Sequence, residues 1–227
     1  MSKMKKNNHF AIIIAAKKYN NILREALKAI YKQTVLPQQL IIVLAETGKL
    51  TIPKKISSRI IYSRIKNQVH QRTIGLKFLD KNIKIILQLD DKIILEKNSI
   101  KSLLDEWKNA DKNIAGIALN PQNYVRPKTG LFHLLTLTNS NIDGEILSSG
   151  FANGWSEQKE NKKMKWLNGG MTSWKLKFIP QIYKRKFPIL KWSVCEDLFF
   201  SYGVSKKYKL ILSSKSKAKI ILKNDKV

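Results

Sequence analysis

Ile85-Ile86-Leu87-Gln88-Leu89-Asp90-Asp91 sets the pattern for the whole chain. A short, almost wholly apolar run reads as a strand buried on both faces, reaching back to Ile83. It stops abruptly on two carboxylates, which cannot lie unpaired in a core. They can cap the following turn. They can also hold a hard divalent cation such as Mg²⁺ or Mn²⁺, with a ligand's phosphates supplying other oxygens. The chain has 43 Lys plus Arg and only 16 Asp plus Glu, so adjacent acids behind a buried strand favour the cation reading.

The same texture recurs on both sides. His9 to Ala16 is another short apolar, partly β-branched run. With the basic Met1 to Asn8 ahead of it, it could be a signal peptide. The run is at the lower length limit and leads straight into Lys17 and Lys18, so a buried strand is the preferred reading. Asn20 or Asn21 then caps a helix carrying Ile22, Leu23, Ala26, Leu27, Ile30 and Tyr31 at helical spacing, and Pro37 closes that region. Leu40 to Leu44 is a second buried strand and Arg59 to Tyr62 a shorter third. Val69 to Leu79 reads as a helix, and Asn98 or Ser99 caps another with Ile100, Leu103, Leu104 and Trp107. Strand and helix alternate to about residue 110, which implies an α/β chain with a mostly parallel sheet and helices on both faces. Such sheets bind ligands at the carboxyl ends of their strands, where Asp90 and Asp91 stand.

Beyond residue 115 the texture loosens. Ile114 to Leu119 and Leu131 to Thr138 read as strands, with Gly-containing connections between Gly144 and Gly170. Glu196 to Ser205 reads as a short helix, with Leu198, Phe199 and Tyr202 on one side. Lys209 to Leu212 and Ala218 to Leu222 read as final strands. No repeat or linker is evident, so residues 1–227 are read as one domain with a nucleotide-type half (about 9–112) and a variable half (about 113–222).

Composition removes several classes. Of 227 residues, 43% are hydrophobic, enough for a packed core and too many for a disordered tail. The single Cys195 excludes a disulfide scaffold and any multi-Cys metal site, and suggests a reducing, cytoplasmic compartment. No stretch approaches ~18 apolar residues, so no spanning helix is expected. The formal net charge is +27, yet only six of the 43 basic residues are Arg. Lys suits diffuse surface charge better than bidentate reading of bases or phosphates. The charge either decorates solvated faces or attracts a polyanion, such as nucleic acid or an anionic membrane surface. Because Lys is spread along the chain, no specific nucleic acid is expected.

Glu196-Asp197 opens a helix, where acids are favourably placed by about 0.3–1 kcal/mol. Alternatively, a carboxylate there is a general base beside an acceptor hydroxyl. Gly169-Gly170 makes a tight turn or allows close backbone approach to a ligand. Trp155, Trp166, Trp174 and Trp192 offer faces for sugar rings or simply fill core. His9, His70 and His133 have no ligand spacing, and Cys195 reads as inert.

Taken in order, these segments resemble the family 2 glycosyltransferases of GT-A fold. Ala11 to Asn21 looks like the family's first strand and turn. Gln33-Thr34 and Pro37, then Leu40 to Leu44, look like the second strand and its approach. Gln71-Arg72-Thr73-Ile74-Gly75 is similar to an Arg-containing helix start, and Leu87 to Leu95 to the metal motif. Ser149-Gly150, Trp166 to Gly170 and Cys195 to Leu198 resemble acceptor-side segments. The likeness runs from about residue 9 to 222.

The resemblance implies inverting transfer of a sugar from a nucleotide-diphosphate donor to a hydroxyl of a glycan or lipid-linked acceptor, in surface polysaccharide or glycan synthesis. Asp91 with Asp90 would coordinate a divalent cation, Mn²⁺ or Mg²⁺, on the diphosphate. Ala16, Tyr19, Glu46, Arg72, Asp90, Lys92, Gly169 and Gly170 would bind the nucleotide-sugar. Asp197 would be the catalytic base and Glu196 its neighbour. Placement would be cytoplasmic or peripheral at the membrane's inner face. The chain departs from the family pattern at three places. Ala45, with Glu46 one residue later, stands where an acid usually follows the second strand. Lys92 takes the last position of the metal motif, where it could meet the diphosphate directly. Leu222 stands where a His is usual. A catalytically weak GT-A relative, a basic polyanion-binding protein and a nucleotidyltransferase are the competing readings; the last lacks its usual Gly-rich phosphate loop.

Overall fold

The computed structural model describes residues 9–48, 51–179 and 195–221. Met1 to Asn8, Trp192 and Leu222 lie outside the described residues.

Two neighbouring parallel strands, β1 (Phe10–Ala16) and β2 (Gln39–Leu44), are buried at every residue. Alternate side chains point to opposite faces, and both faces are covered. Phe10, Ile12 and Ile14 join Leu40, Ile42 and Leu44 in one core layer with α1 (Asn21–Tyr31) and α3 (Ser99–Asn109). Ala11, Ile13, Ile41 and Val43 face the other layer, against α2 (Gln68–Lys77) and α5 (Glu196–Ser205). This is why the strands read as unbroken apolar runs. The Asn20 side chain accepts from Leu23 N at 2.9 Å and so starts α1. On α2, Gly75 admits the sheet closely: a Cβ there would lie 2.8 Å from Ile13 Cγ2.

β3 (Ser57–Tyr62) lies at the edge beside β2 and β4 (Ile85–Asp90) on the other side of β1, all parallel. Beyond β4 the directions mix. β8 (Met171–Lys175) runs antiparallel to both β4 and β6 (Ile114–Pro121). β9 (Lys209–Ile220) is parallel to β6 and antiparallel to the short β5 (Ile93–Leu95) and β7 (Lys162–Met164). The nine-stranded order is β3-β2-β1-β4-β8-β6-β9-β5, with β7 on β9. β8 thus joins the parallel half to the later strands and carries residues 168–171 to the carboxyl end of β4.

Some expectations fail for physical reasons. Leu131 to Thr138 is not a strand: Leu131–Leu135 forms α4, with no buried residue. Its apolar residues have no sheet face to pair with. The two expected final strands are one strand of 12 residues. The Ser residues that break its apolar run stay inside because their hydroxyls are bonded. Ser213 Oγ donates to Glu106 Oε1 at 2.8 Å and Ser216 Oγ to Ser99 O at 2.9 Å. β8 is masked in the sequence for the same reason. Its buried Thr172 and Ser173 donate to Asn168 O and Ile117 O.

Gly116 of β6 pairs with Trp174 of β8, and a Cβ at Gly116 would lie 2.6 Å from the buried indole ring. Gly116→Ala is expected to destabilise the fold by about 1–3 kcal/mol through overpacking, read from the urea unfolding midpoint.

Candidate active site

The carboxyl ends of β1, β2 and β4 meet the first turns of α2. Gln71, buried, donates its side-chain N–H groups to Ala16 O and Val43 O, both at 2.8 Å. That clamps α2 to the ends of β1 and β2, and Arg72, next along the helix, is directed to the end of β4. The Arg72 side chain is only 4% exposed. Its Nη2 donates to Asp90 Oδ1 at 2.8 Å, and its Nη1 to Glu196 Oε1 at 3.4 Å. Gln68, one helical turn before Arg72, also donates to Asp90 Oδ1, at 3.2 Å. One guanidinium therefore ties a strand of the first half to a helix of the second.

Gly169 and Gly170 lie directly against this knot. Asp90 N donates to Gly170 O at 2.8 Å. A Cβ on Gly170 would sit 2.4 Å from Asp90 Oδ2, and one on Gly169 2.5 Å from Arg72 Nη1. Both positions require a missing side chain, for room rather than for backbone angle. Asp197 accepts from Gly169 N at 3.0 Å through Oδ2 and from Leu198 N at 2.8 Å through Oδ1. Ahead of them Cys195 holds a left-handed backbone at φ 61°, turning the chain into α5.

Arg72, Asp90, Lys92, Gly169, Gly170, Glu196 and Asp197 all line one cleft of about 230 Å³. Acids a hundred positions apart in the chain thus share one space. Burial, then the Asp197 and Asp90 charges, holds the Glu196 carboxyl above the ordinary range, against its own backbone N–H and Arg72. Asp91 lies in the turn after β4, off the cleft lining, and its carboxyl is likewise raised, by burial first and by Asp90 second. These two carboxyls therefore favour the folded state most below the ordinary carboxylate pKa of about 4, and that contribution is lost as pH rises through their raised values.

Ala16, Tyr19 and Glu46 do not line the cleft. They lie toward the same sheet edge, where Ala45 N donates to Ala16 O and Glu46 N to Lys17 O. The Glu46 carboxylate is bonded to Lys66 at 2.9 Å. Tyr19 packs against the core layer under α1. Trp174 is core. Trp155 and Trp166 line a neighbouring pocket of about 200 Å³ with Tyr124, and this pocket shares Asn168, Met171 and Ile220 with the cleft. The sequence alone singled out none of Gln68, Met171 and Ile220, and Asn168 only as part of the acceptor-side segment Trp166 to Gly170. Gln68 was findable, since four residues separate it from Arg72 on one helix face. Nothing in the sequence signals Ile220, which is brought by β9.

No protein-family model matches the chain, and no curated protein matches it by sequence. Solved structures do match. The crystal structure of GalNAc-T7 with UDP, GalNAc and Mn²⁺ superposes with a TM-score of 0.67 at 14% identity, over 94% of this chain and 44% of that one. Staphylococcus aureus TarS, residues 1–349, superposes with a TM-score of 0.63 at 11% identity, over 93% of this chain and 60% of that one. The chain spans less than two thirds of either. The fold is the GT-A fold.

Arg72→Met leaves Asp90 and Glu196 facing each other without their shared cation. A loss of about 3 kcal/mol is expected at pH 7. The loss shrinks as pH falls through the carboxylate range, because protonated acids no longer need the guanidinium. Urea unfolding at pH 7 and at pH 4.5 reads both effects.

Proposed function

We propose that the chain is an inverting glycosyltransferase that moves a sugar from a nucleotide-diphosphate donor to a hydroxyl of a glycan or lipid-linked acceptor. The observation that carries this reading is the Asp90–Arg72–Glu196 bridge, with Asp197 beside it, in one cleft at the carboxyl end of a GT-A sheet.

The chemistry follows from the side chains. Asp197 is held by two backbone N–H groups, which fix its position and orientation. It takes the acceptor's proton as the hydroxyl oxygen attacks the anomeric carbon. Glu196 anchors Arg72 and completes the acid pair. Charge develops on the leaving diphosphate, and Lys92 and Arg72 on the cleft wall offset it. The Gly169-Gly170 backbone leaves space for the donor to approach.

The residues also fit a divalent cation. Among the described residues no three His, Cys, Asp or Glu side chains gather to hold a metal. One or two carboxylates with phosphate oxygens suffice for Mg²⁺ or Mn²⁺, however, and Asp90 on the cleft lining with Asp91 next to it at the end of β4 offers that pair. Asp91 and Asp90 would hold the ion, which supplies charge neutralisation at the departing diphosphate. GalNAc-T7 was crystallised with UDP and Mn²⁺, which supports the same pairing here.

Two measurements test this. One of UDP, GDP and dTDP is expected to raise the melting temperature, by the equivalent of about 2.7 kcal/mol at a hundred times Kd, and more with Mn²⁺ present. No shift with any nucleoside diphosphate would defeat the reading. Asp197→Asn is expected to lower transfer or donor hydrolysis by at least about 100-fold while leaving the nucleotide-induced shift in place. An equally active variant would remove Asp197 from the base role.

A further inference from the structure

The connection between β6 and β7 exposes apolar side chains that no other part of the described molecule covers. On α4, Leu131 and Phe132 are each 71% exposed and Leu135 75%. Val125 (81%), Ile142 (56%) and Phe151 (55%) extend the same connection. A soluble surface rarely carries so many large apolar groups in one segment without a partner.

The exposure is built in. Arg126 Nη1 donates to Ser140 O at 2.7 Å and to Asn139 Oδ1 at 3.1 Å. Thr129 Oγ1 donates to the same Ser140 carbonyl at 2.8 Å, and Asn153 Nδ2 to Ser140 Oγ at 2.6 Å. These bonds brace the two limbs of the connection on either side of α4 and hold the helix outward.

Charge selects the occupant. The connection's two acids near α4 are neutralised: Asp143 pairs with Arg126 at 3.0 Å and Lys162 at 3.4 Å, and Glu145 pairs with Lys165. Residues 125–151 themselves balance, Arg126 and Lys128 against Asp143 and Glu145, with exposed Lys128 three residues before α4, so the attracting charge is carried by the rest of the chain. The whole chain carries +27. A second copy would be repelled by that charge, whereas an anionic surface with an apolar interior is attracted by it and accepts Leu and Phe side chains.

We infer that residues 125–151 dock this protein on the headgroup layer of an anionic lipid bilayer, with Leu131, Phe132 and Leu135 entering the interface. The docking stands without the sugar-transfer reading. With that reading, it brings a lipid-linked acceptor to the site: Trp166 Nε1 donates to Asn153 O at 2.9 Å, and Gly154 and Trp155, next in the chain, line the pocket beside the cleft.

The test is co-flotation of the full chain with vesicles of phosphatidylcholine, with and without phosphatidylglycerol, at physiological salt. The wild type is expected to float with the anionic vesicles and not with the neutral ones. The triple variant Leu131→Ser, Phe132→Ser, Leu135→Ser is expected to bind the anionic vesicles at least about tenfold more weakly. It should keep the wild-type melting temperature and any nucleotide-induced shift, since none of the three residues touches the cleft. The single Phe132→Ser variant, expected to weaken flotation in the same direction, stands in if the triple variant does not fold. Equal flotation with neutral and anionic vesicles overturns the inference, as does flotation of the variants at wild-type strength. A lipid-free wild type that light scattering shows to be dimeric, with a monomeric triple variant, also overturns it and assigns the surface to a second copy.

Discussion

Arg72 is a nearly buried cation with two carboxylates from distant parts of the chain on its two terminal nitrogens. A guanidinium cannot shed its charge, so burying it is tolerable only while both partners stay in place. That requirement reaches outward. Gln71 must clamp α2 to the sheet so that Arg72 points at Asp90. Gly169 and Gly170 must lack side chains, because Cβ atoms would occupy the space of the guanidinium and the carboxylate. The start of α5 must bring Glu196 within reach. The cleft wall and the first turn of α5 thus meet at one ionic knot, while apolar packing of Phe200 and Val204 seats the rest of that helix.

The sheet makes the knot possible by changing direction. A wholly parallel sheet would send every β8 residue's neighbours toward the wrong end. Because β8 runs antiparallel to β4, the turn at residues 168–170 arrives at the carboxyl end of β4, next to Asp90. The tight contact of Gly116 with Trp174 then seats β6 against β8. A single continuous sheet carries groups from both halves of the chain to one edge.

Two surfaces differ in character. The cleft gathers Asp90, Glu196 and Asp197 in a chain that has few acids, and burial first, then the neighbouring carboxylates, raises Glu196 in the cleft and Asp91 in the turn beside it. The outer face around α4 is apolar, rimmed by paired acids and uncovered among the described residues. Each is unusual for the composition as a whole, and each marks a place where the sequence serves something other than packing.

Local order was legible in the residues themselves. Phe10 to Ala16, Leu40 to Leu44 and Ile85 to Leu89 are apolar on both alternating faces, and only a two-sided core accommodates that, so the α/β sheet and the exit of Asp90 and Asp91 at its edge could be read directly. Arg72, Gly169-Gly170 and Glu196-Asp197 could be singled out by residue type and by likeness to a known family. Their meeting could not be read, because it depends on contacts spanning up to 124 residues and on the antiparallel turn of β8. Nor could α4 or the seam of β9 be anticipated. Leu131 to Leu135 has a strand-like composition but no edge to pair with, and Ser213 and Ser216 look like loop until Glu106 and the Ser99 carbonyl are seen to accept their protons. Pattern records what a segment tolerates on its two faces; only the folded chain decides which distant group supplies the missing partner.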